Sequence, residues 1–185
     1  MAECANDLIS LDPPCPALKK KGGLKKKVWA VSFDKATLTV DVDGNVDTIT
    51  LATASPANVL TTYTGKKLKN SGAYTLEVGE NASTMKQDLS LRVYFYGQDT
   101  RDAVDALNQA PEELLFFVQT EAGQIECWGF DTGLLPSAAT GGTGTALNDD
   151  TSMLITLSGQ QDGVAKVCKF GADLAADIAY LDALT

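Results

Sequence analysis

Apolar and polar residues alternate through 89–96: Leu89, Leu91, Val93 and Phe95 fall on one side of an extended chain, and Ser90, Arg92, Tyr94 and Tyr96 on the other. That period of two predicts a half-buried strand. VWAVSF, beginning at Val28, predicts an earlier strand, and TLTVDVDGNVDTITLA holds two alternating runs around Asp43 and Gly44, a hairpin signal because the tight turn needs positive φ. In AYTLEVGE, Tyr74, Leu76 and Val78 predict a further strand in register. After Tyr96 the period lengthens to 3.6, with Ala103, Val104, Leu107 and Ala110 forming one stripe. A three-turn helix over 99–110 follows, with Asp99 as N-cap, Asp102 at the positive end of the helix dipole and Pro111 as its stop.

LLFFV at 114–118 is apolar on both sides, as in a strand covered on both faces, and EAGQ turns it into IECWGF, a second hairpin. LLPSAATGGTGTALNDD at 134–150 reads as a loop of small residues, followed by the strand MLITLSG and a last strand, VAKVCKF. ADLAADIAYLDAL closes the sequence as an amphipathic helix, with Leu174, Ile178 and Leu181 on one side and Asp173, Asp177 and Asp182 away from that stripe. Such a helix packs on its own domain or on a neighbouring subunit. The pattern predicts a mainly β domain over 28–170 with one flanking helix, preceded by an extended arm at 1–27 and followed by a C-terminal helix at 171–185. Pro13, Pro14 and Pro16 forbid helix in the arm. Residues 52–72 are mixed, with Pro56 a breaker and Lys66, Lys67 and Lys69 an exposed basic stretch.

At 185 residues and 44% hydrophobic the chain can bury a genuine core. Its apolar runs are far shorter than the ~20 residues that cross a bilayer, and its N-terminus lacks the basic and apolar regions of a secretion signal. No membrane anchor is expected. The charge of −9 is uneven. Lys19, Lys20, Lys21, Lys25, Lys26 and Lys27 outweigh three acids in residues 1–27, a balance of +3 that leaves −12 on the other 158 residues. The body repels a polyanion and the arm attracts one weakly, so the lysine run reads either as a solvated stretch or as an arm laid on an acidic neighbouring subunit.

With no histidine, Ser-His-Asp and Cys-His pairs are impossible and the commonest general base is missing. Cys4, Cys15, Cys127 and Cys168 show no CxxC spacing; Cys127 and Cys168 fall in strand-like sequence as buried apolar residues, and Cys4 and Cys15 are expected as reduced thiols. Gly141, Gly142 and Gly144 resemble a phosphate loop only superficially, because GK[ST] is lacking and a strand follows. Asp41, Asp43, Gly44 and Asp47 lack the twelfth-position acid of a calcium loop, and Asn148, Asp149 and Asp150 read as an acidic turn. An aromatic platform for bases, built on Trp29, Tyr94, Phe116 or Trp128, would call for a basic groove that this body does not offer. No catalytic, cofactor or metal residue is expected.

The stretch from DLSLRVYFYG through the helix, the hairpin with Trp128 and Gly129, DTGL at 131–134 and GGTGTALND into a Thr/Leu strand ending at Gly159 resembles structural proteins of tailed bacteriophages, notably of Bacteroidetes-type hosts, and specifically the tail tube family. Cys4 and Cys15 followed by Gly22 and Gly23 add to the likeness, which spans roughly residues 70–162. The resemblance implies a two-sheet β-sandwich or barrel fold, rings of six copies closing a β-barrel around a channel, and stacking through an N-terminal arm, a hairpin loop and the C-terminus. It implies a non-enzymatic virion tail protein, assembled in the host cytoplasm, whose partners are itself, other tail or neck proteins and DNA in transit. An acidic channel lining is expected from Asp41, Asp43, Asp47 and Asp88, on strands at 41–50 and 89–96; inter-ring contacts from residues 1–27, 52–72 and 171–185, including the helix face of Leu174, Ile178 and Leu181. The lysine clusters and the C-terminal helix also fit a neck ring, a tail terminator or another head-to-tail component, and a capsid-decorating protein would share the composition but not the stacking surfaces. The rivals from other classes are a monomeric β-sandwich binding module with exposed Trp29 or Trp128, and an enzyme built on a carboxylate pair such as Glu77 with Glu80.

Overall fold

The computed structural model describes residues 23–185 apart from 54–58, 66–68, 81, 95–96 and 144–150. Eleven strands among the described residues form two sheets. β1 (Leu24–Ser32) leads through a 3-10 turn at Phe33–Lys35 into the hairpin of β2 (Ala36–Val40) and β3 (Val46–Leu51). β4 (Thr61–Thr64), β5 (Ser71–Val78) and β6 (Ser83–Tyr94) precede α1 (Gln98–Asn108). Then come β7 (Leu114–Thr120), β8 (Ile125–Trp128), β9 (Leu135–Gly142), β10 (Ser152–Gln161), β11 (Lys166–Cys168) and α2 (Leu174–Ala183). One sheet has seven strands in the order β2-β3-β11-β8-β7-β1-β4, the other four in the order β5-β6-β10-β9.

The seven-stranded sheet is the middle layer. From one face Val28, Ala30, Phe116, Val118 and Trp128 meet Leu89, Leu91, Val93, Ile155 and Leu157 of the smaller sheet, and Val104 and Leu107 of α1 join this core. From the other face Trp29, Phe117, Ile125 and Cys127 pack with Leu181, Ile178 and Leu174 of α2. Two cores on opposite faces of one sheet explain why β7 is apolar at consecutive positions: Leu115, Phe116, Phe117 and Val118 are all buried. Cys127 and Cys168 are buried free thiols in the second core, and burial pushes the Cys168 thiol up.

Several expectations are corrected. β1 begins at Leu24, so Lys25, Lys26 and Lys27 belong to a strand and not to an extended arm. The Lys25 ammonium reaches Glu121 at 2.7 Å and that of Lys27 reaches Asp182, contacts 96 and 155 residues away that no local pattern reveals. Much of 134–150 is strand: β9 pairs with β10 through backbone bonds, with a register irregularity beside Pro136. An edge strand exposed on both sides needs no apolar alternation, and its free side tolerates proline. The helix after β6 starts earlier than expected, capped by Gly97 in place of Asp99. Tyr74, Leu76 and Val78 share one side of β5 but remain exposed, because the hairpin of β5 and β6 projects past the core.

The C-terminal helix takes the first of its two expected placements and packs on its own domain, so the face of Leu174, Ile178 and Leu181 is covered within the chain and not offered to a neighbouring ring: Leu181 is fully buried and Leu174 and Ile178 pack beside it. Asp173 caps it by accepting from Ala176 N at 2.9 Å. Asp177, expected to face away, is buried and accepts from the Phe170 and Gly171 amides at 2.7 and 2.8 Å, tying the helix to the preceding turn. Asp182 receives the Trp29 indole N–H at 2.8 Å as well as the Lys27 ammonium, and the Lys27 bond holds its carboxyl below the ordinary range.

Candidate assembly surface

β5, β6, β10 and β9 are antiparallel throughout. Alternation sends Leu89 and Leu91 of β6 and Ile155 and Leu157 of β10 inward, so Lys86, Asp88, Ser90 and Arg92 face out opposite Gln160, Ser158, Thr156 and Leu154. β5 adds Ala73, Thr75 and Glu77 to this outer face, and β9 adds Ala138 and Thr140. Short side chains and hydroxyls dominate it. Ser90 and Thr156 hydroxyls lie 3.3 Å apart, and Ser137 and Ser158 hydroxyls 2.8 Å apart.

Its charges cancel. Lys86 and Arg92 oppose Glu77 and Asp88; Lys86 lies 3.3 Å from the Asp88 carboxylate, which also accepts from the Ser158 hydroxyl, and Gln160 donates to Glu77 at 2.7 Å. Each acid is therefore engaged with a partner on the same face, and Glu80 lies in the turn after β5 rather than on this face.

The four expected lining acids do not come together. Asp88 lies on this face, whereas Asp41, Asp43 and Asp47 belong to the β2–β3 hairpin at the far edge of the other sheet. Strand order, set by the parallel bridge of β3 to β11, separates them. Asp41 organises its own turn: its carboxylate accepts from the Asp43 and Asn45 amides at 2.9 and 2.8 Å and from the Asn45 side chain at 2.9 Å, bonds that hold its pKa low, while Gly44 supplies the positive φ of 81°. Asp47 accepts from the Thr39 hydroxyl at 2.9 Å. Among the described residues no three His, Cys, Asp or Glu side chains gather into a metal site, and no helix is long and apolar enough to cross a membrane.

The edges of the smaller sheet were not legible beforehand. Over Ser71–Val78 β5 pairs only with β6, and over Leu135–Gly142 β9 pairs only with β10, so each side leaves an eight-residue strand with a free backbone edge among the described residues. Just before these free edges, bridges of Asn70 to Leu24 and of Leu134 to Leu114 tie both strands to the larger sheet. Leu76 and Val78 are 60% and 75% exposed beside one edge and Leu135 39% beside the other. Trp29 and Trp128 are buried at 1% and 2%, so neither offers an exposed aromatic platform. Lys19, Lys20, Lys21, Cys4, Cys15, Gly144, Asn148, Asp149 and Asp150 lie outside the described residues, as do Lys66, Lys67, Phe95 and Tyr96. Comparison of the chain with protein-family models, curated proteins and solved structures finds no match.

Proposed function

We propose that this chain is a structural protein that assembles by joining the β9 edge of one copy to the β5 edge of the next. The carrying observation is the sheet itself: four strands alternating in direction, with free edges of equal length. An even number of alternating strands means that head-to-tail joining keeps every new neighbour antiparallel. Such heterologous contacts close into a ring when the rotation permits, and closure removes the edges that otherwise invite aggregation. Leu76, Val78 and Leu135 would be covered in the same step.

Within that reading the hydroxyl-rich outer face lines the channel, and the larger sheet and α2 form the outer wall. Six copies would contribute about 24 strands at ~4.8 Å spacing, a backbone circle about 37 Å across before strand tilt widens it. With about 5 Å of side chain on each wall, this passes a duplex roughly 20 Å wide. A face whose charges cancel neither captures nor strongly repels the phosphates, so it serves passage where a basic groove would bind. This arrangement matches the tail tube resemblance, and the proposed role is a tube of stacked rings conducting phage DNA from the virion into the host, in place of the uniformly acidic lining first expected.

The test is a double substitution at the free edge, Leu76→Lys with Val78→Lys, read by light scattering after size exclusion. Both side chains are exposed in the single chain, so the fold survives, whereas lysines on an edge oppose strand addition. The wild type is expected as closed oligomers and the variant as folded monomers; oligomers unchanged by the substitution would refute edge-to-edge joining.

A further inference from the structure

A cavity of about 290 Å³ opens between the start of β1, the start of β5 and the turn joining β7 to β8. Tyr74 and Trp128 form one wall, their rings stacked at 4.8 Å and 12°. Trp128 is buried and Tyr74 is 41% exposed, so the tyrosine is the ring open to a visitor. Gly72 presses on the indole so closely that a Cβ there would stand 2.2 Å from it, which fixes that wall in place. Thr120 and Gln124 add a hydroxyl and an amide to the lining.

Glu126 also lines this space, and among the described residues it has no ion-pair partner. Its carboxylate accepts from the Trp128 indole N–H at 3.2 Å, and burial pushes its pKa up. Neighbouring cations are committed elsewhere: Lys25 to Glu121, and Lys166 over the Phe130 ring at 4.9 Å. A half-buried carboxylate without a counter-ion is costly, and a cation delivered against it recovers that cost with an aromatic face alongside.

We propose that this cavity is a binding site for a primary ammonium or guanidinium group carried on a short apolar stem, with Glu126 taking the charge and the Tyr74 ring the stem. An anion would be repelled by Glu126, and a neutral polar ligand would leave its charge uncompensated. Two sources share this chemistry. Lys19, Lys20 and Lys21 are separated by Gly22 alone from Gly23, itself part of the cavity rim, and a separate molecule or chain could present the same group.

Calorimetric titration of the full chain with n-butylammonium, set against n-butanol as its neutral counterpart, tests the site. It is run in parallel on full-length chain carrying Lys19→Gln, Lys20→Gln and Lys21→Gln. Saturable binding of the amine alone is expected, weakened at least about tenfold by Glu126→Gln, with the circular dichroism of that variant unchanged. Tighter binding to the triply substituted chain identifies Lys19, Lys20 or Lys21 as the competing occupant, and equal affinity identifies an external cation. The proposal is overturned if neither chain binds the amine, if butanol binds equally, or if Glu126→Gln leaves the affinity intact.

Discussion

Replacing Gly72 by alanine should cost this fold far more than one methyl group suggests. The backbone there is not left-handed, so alanine meets no φ penalty and by itself stiffens the unfolded chain, a gain of about 0.4–1 kcal/mol. Against that, the new Cβ would stand 2.2 and 2.4 Å from two indole carbons of Trp128, where carbon contacts relax at about 3.5–4.0 Å. The indole would have to retreat by more than an ångström. It cannot do so freely: it is 2% exposed, belongs to the core between the sheets and is stacked on Tyr74. Overpacking of this kind costs about 1–3 kcal/mol, and losing the ring pair about 0.5–1.5 kcal/mol. The net loss is about 0.5–4 kcal/mol, or roughly 1–16 °C in melting temperature for a chain of this size. Gly163 is the control, because nothing lies within 4 Å of a Cβ there and its φ is ordinary; Gly163→Ala should be neutral or slightly stabilising. Urea unfolding followed by tryptophan fluorescence measures both. Equal midpoints for the two variants would refute the packing described around Trp128.

Two further perturbations probe the ties between layers. The Gln161 side chain accepts from the Asp131 and Thr132 amides at 2.8 and 3.2 Å and donates to the Gly133 carbonyl at 2.9 Å, so Gln161→Ala should cost about 2–4 kcal/mol and speed hydrogen exchange at those two amides. Asp182 has a folded pKa below its unfolded value, chiefly through its bond to Lys27; its contribution is present above the unfolded carboxylate value near pH 4 and is lost as pH falls through the folded one. Asp182→Asn should therefore remove part of the fall in urea midpoint between about pH 5 and pH 2, and an unchanged acid limb would contradict the fastening of α2 to β1.

Local pattern carried the elements whose burial is one-sided or complete. Leu89, Leu91 and Val93 are buried as their alternation requires, Val104 and Leu107 form the buried stripe of α1, and 114–118 is covered on both faces. β9 escaped notice because an edge strand exposed on both sides is held by backbone bonds, which leave no side-chain period. Lys25 and Lys27 looked like part of a basic run because their acids are supplied by Glu121 and Asp182, which only the folded chain brings near. Asp177 looked solvent-facing because its partners are amides of the preceding turn, invisible to a helical wheel. The candidate assembly surface was legible as a set of strands, but its charge balance and its free edges depend on strand order. A strand-period argument assigns Asp47 and Asp88 to strands without saying that those strands, β3 and β6, belong to different sheets.

Edge-to-edge joining of the four-stranded sheet is tested most directly by negative-stain electron microscopy of the purified full-length protein near neutral pH. The account predicts hollow rings or tubes with a channel wide enough for a duplex of roughly 20 Å plus clearance. Uniform particles the size of one chain, with no ring at any concentration, would contradict it.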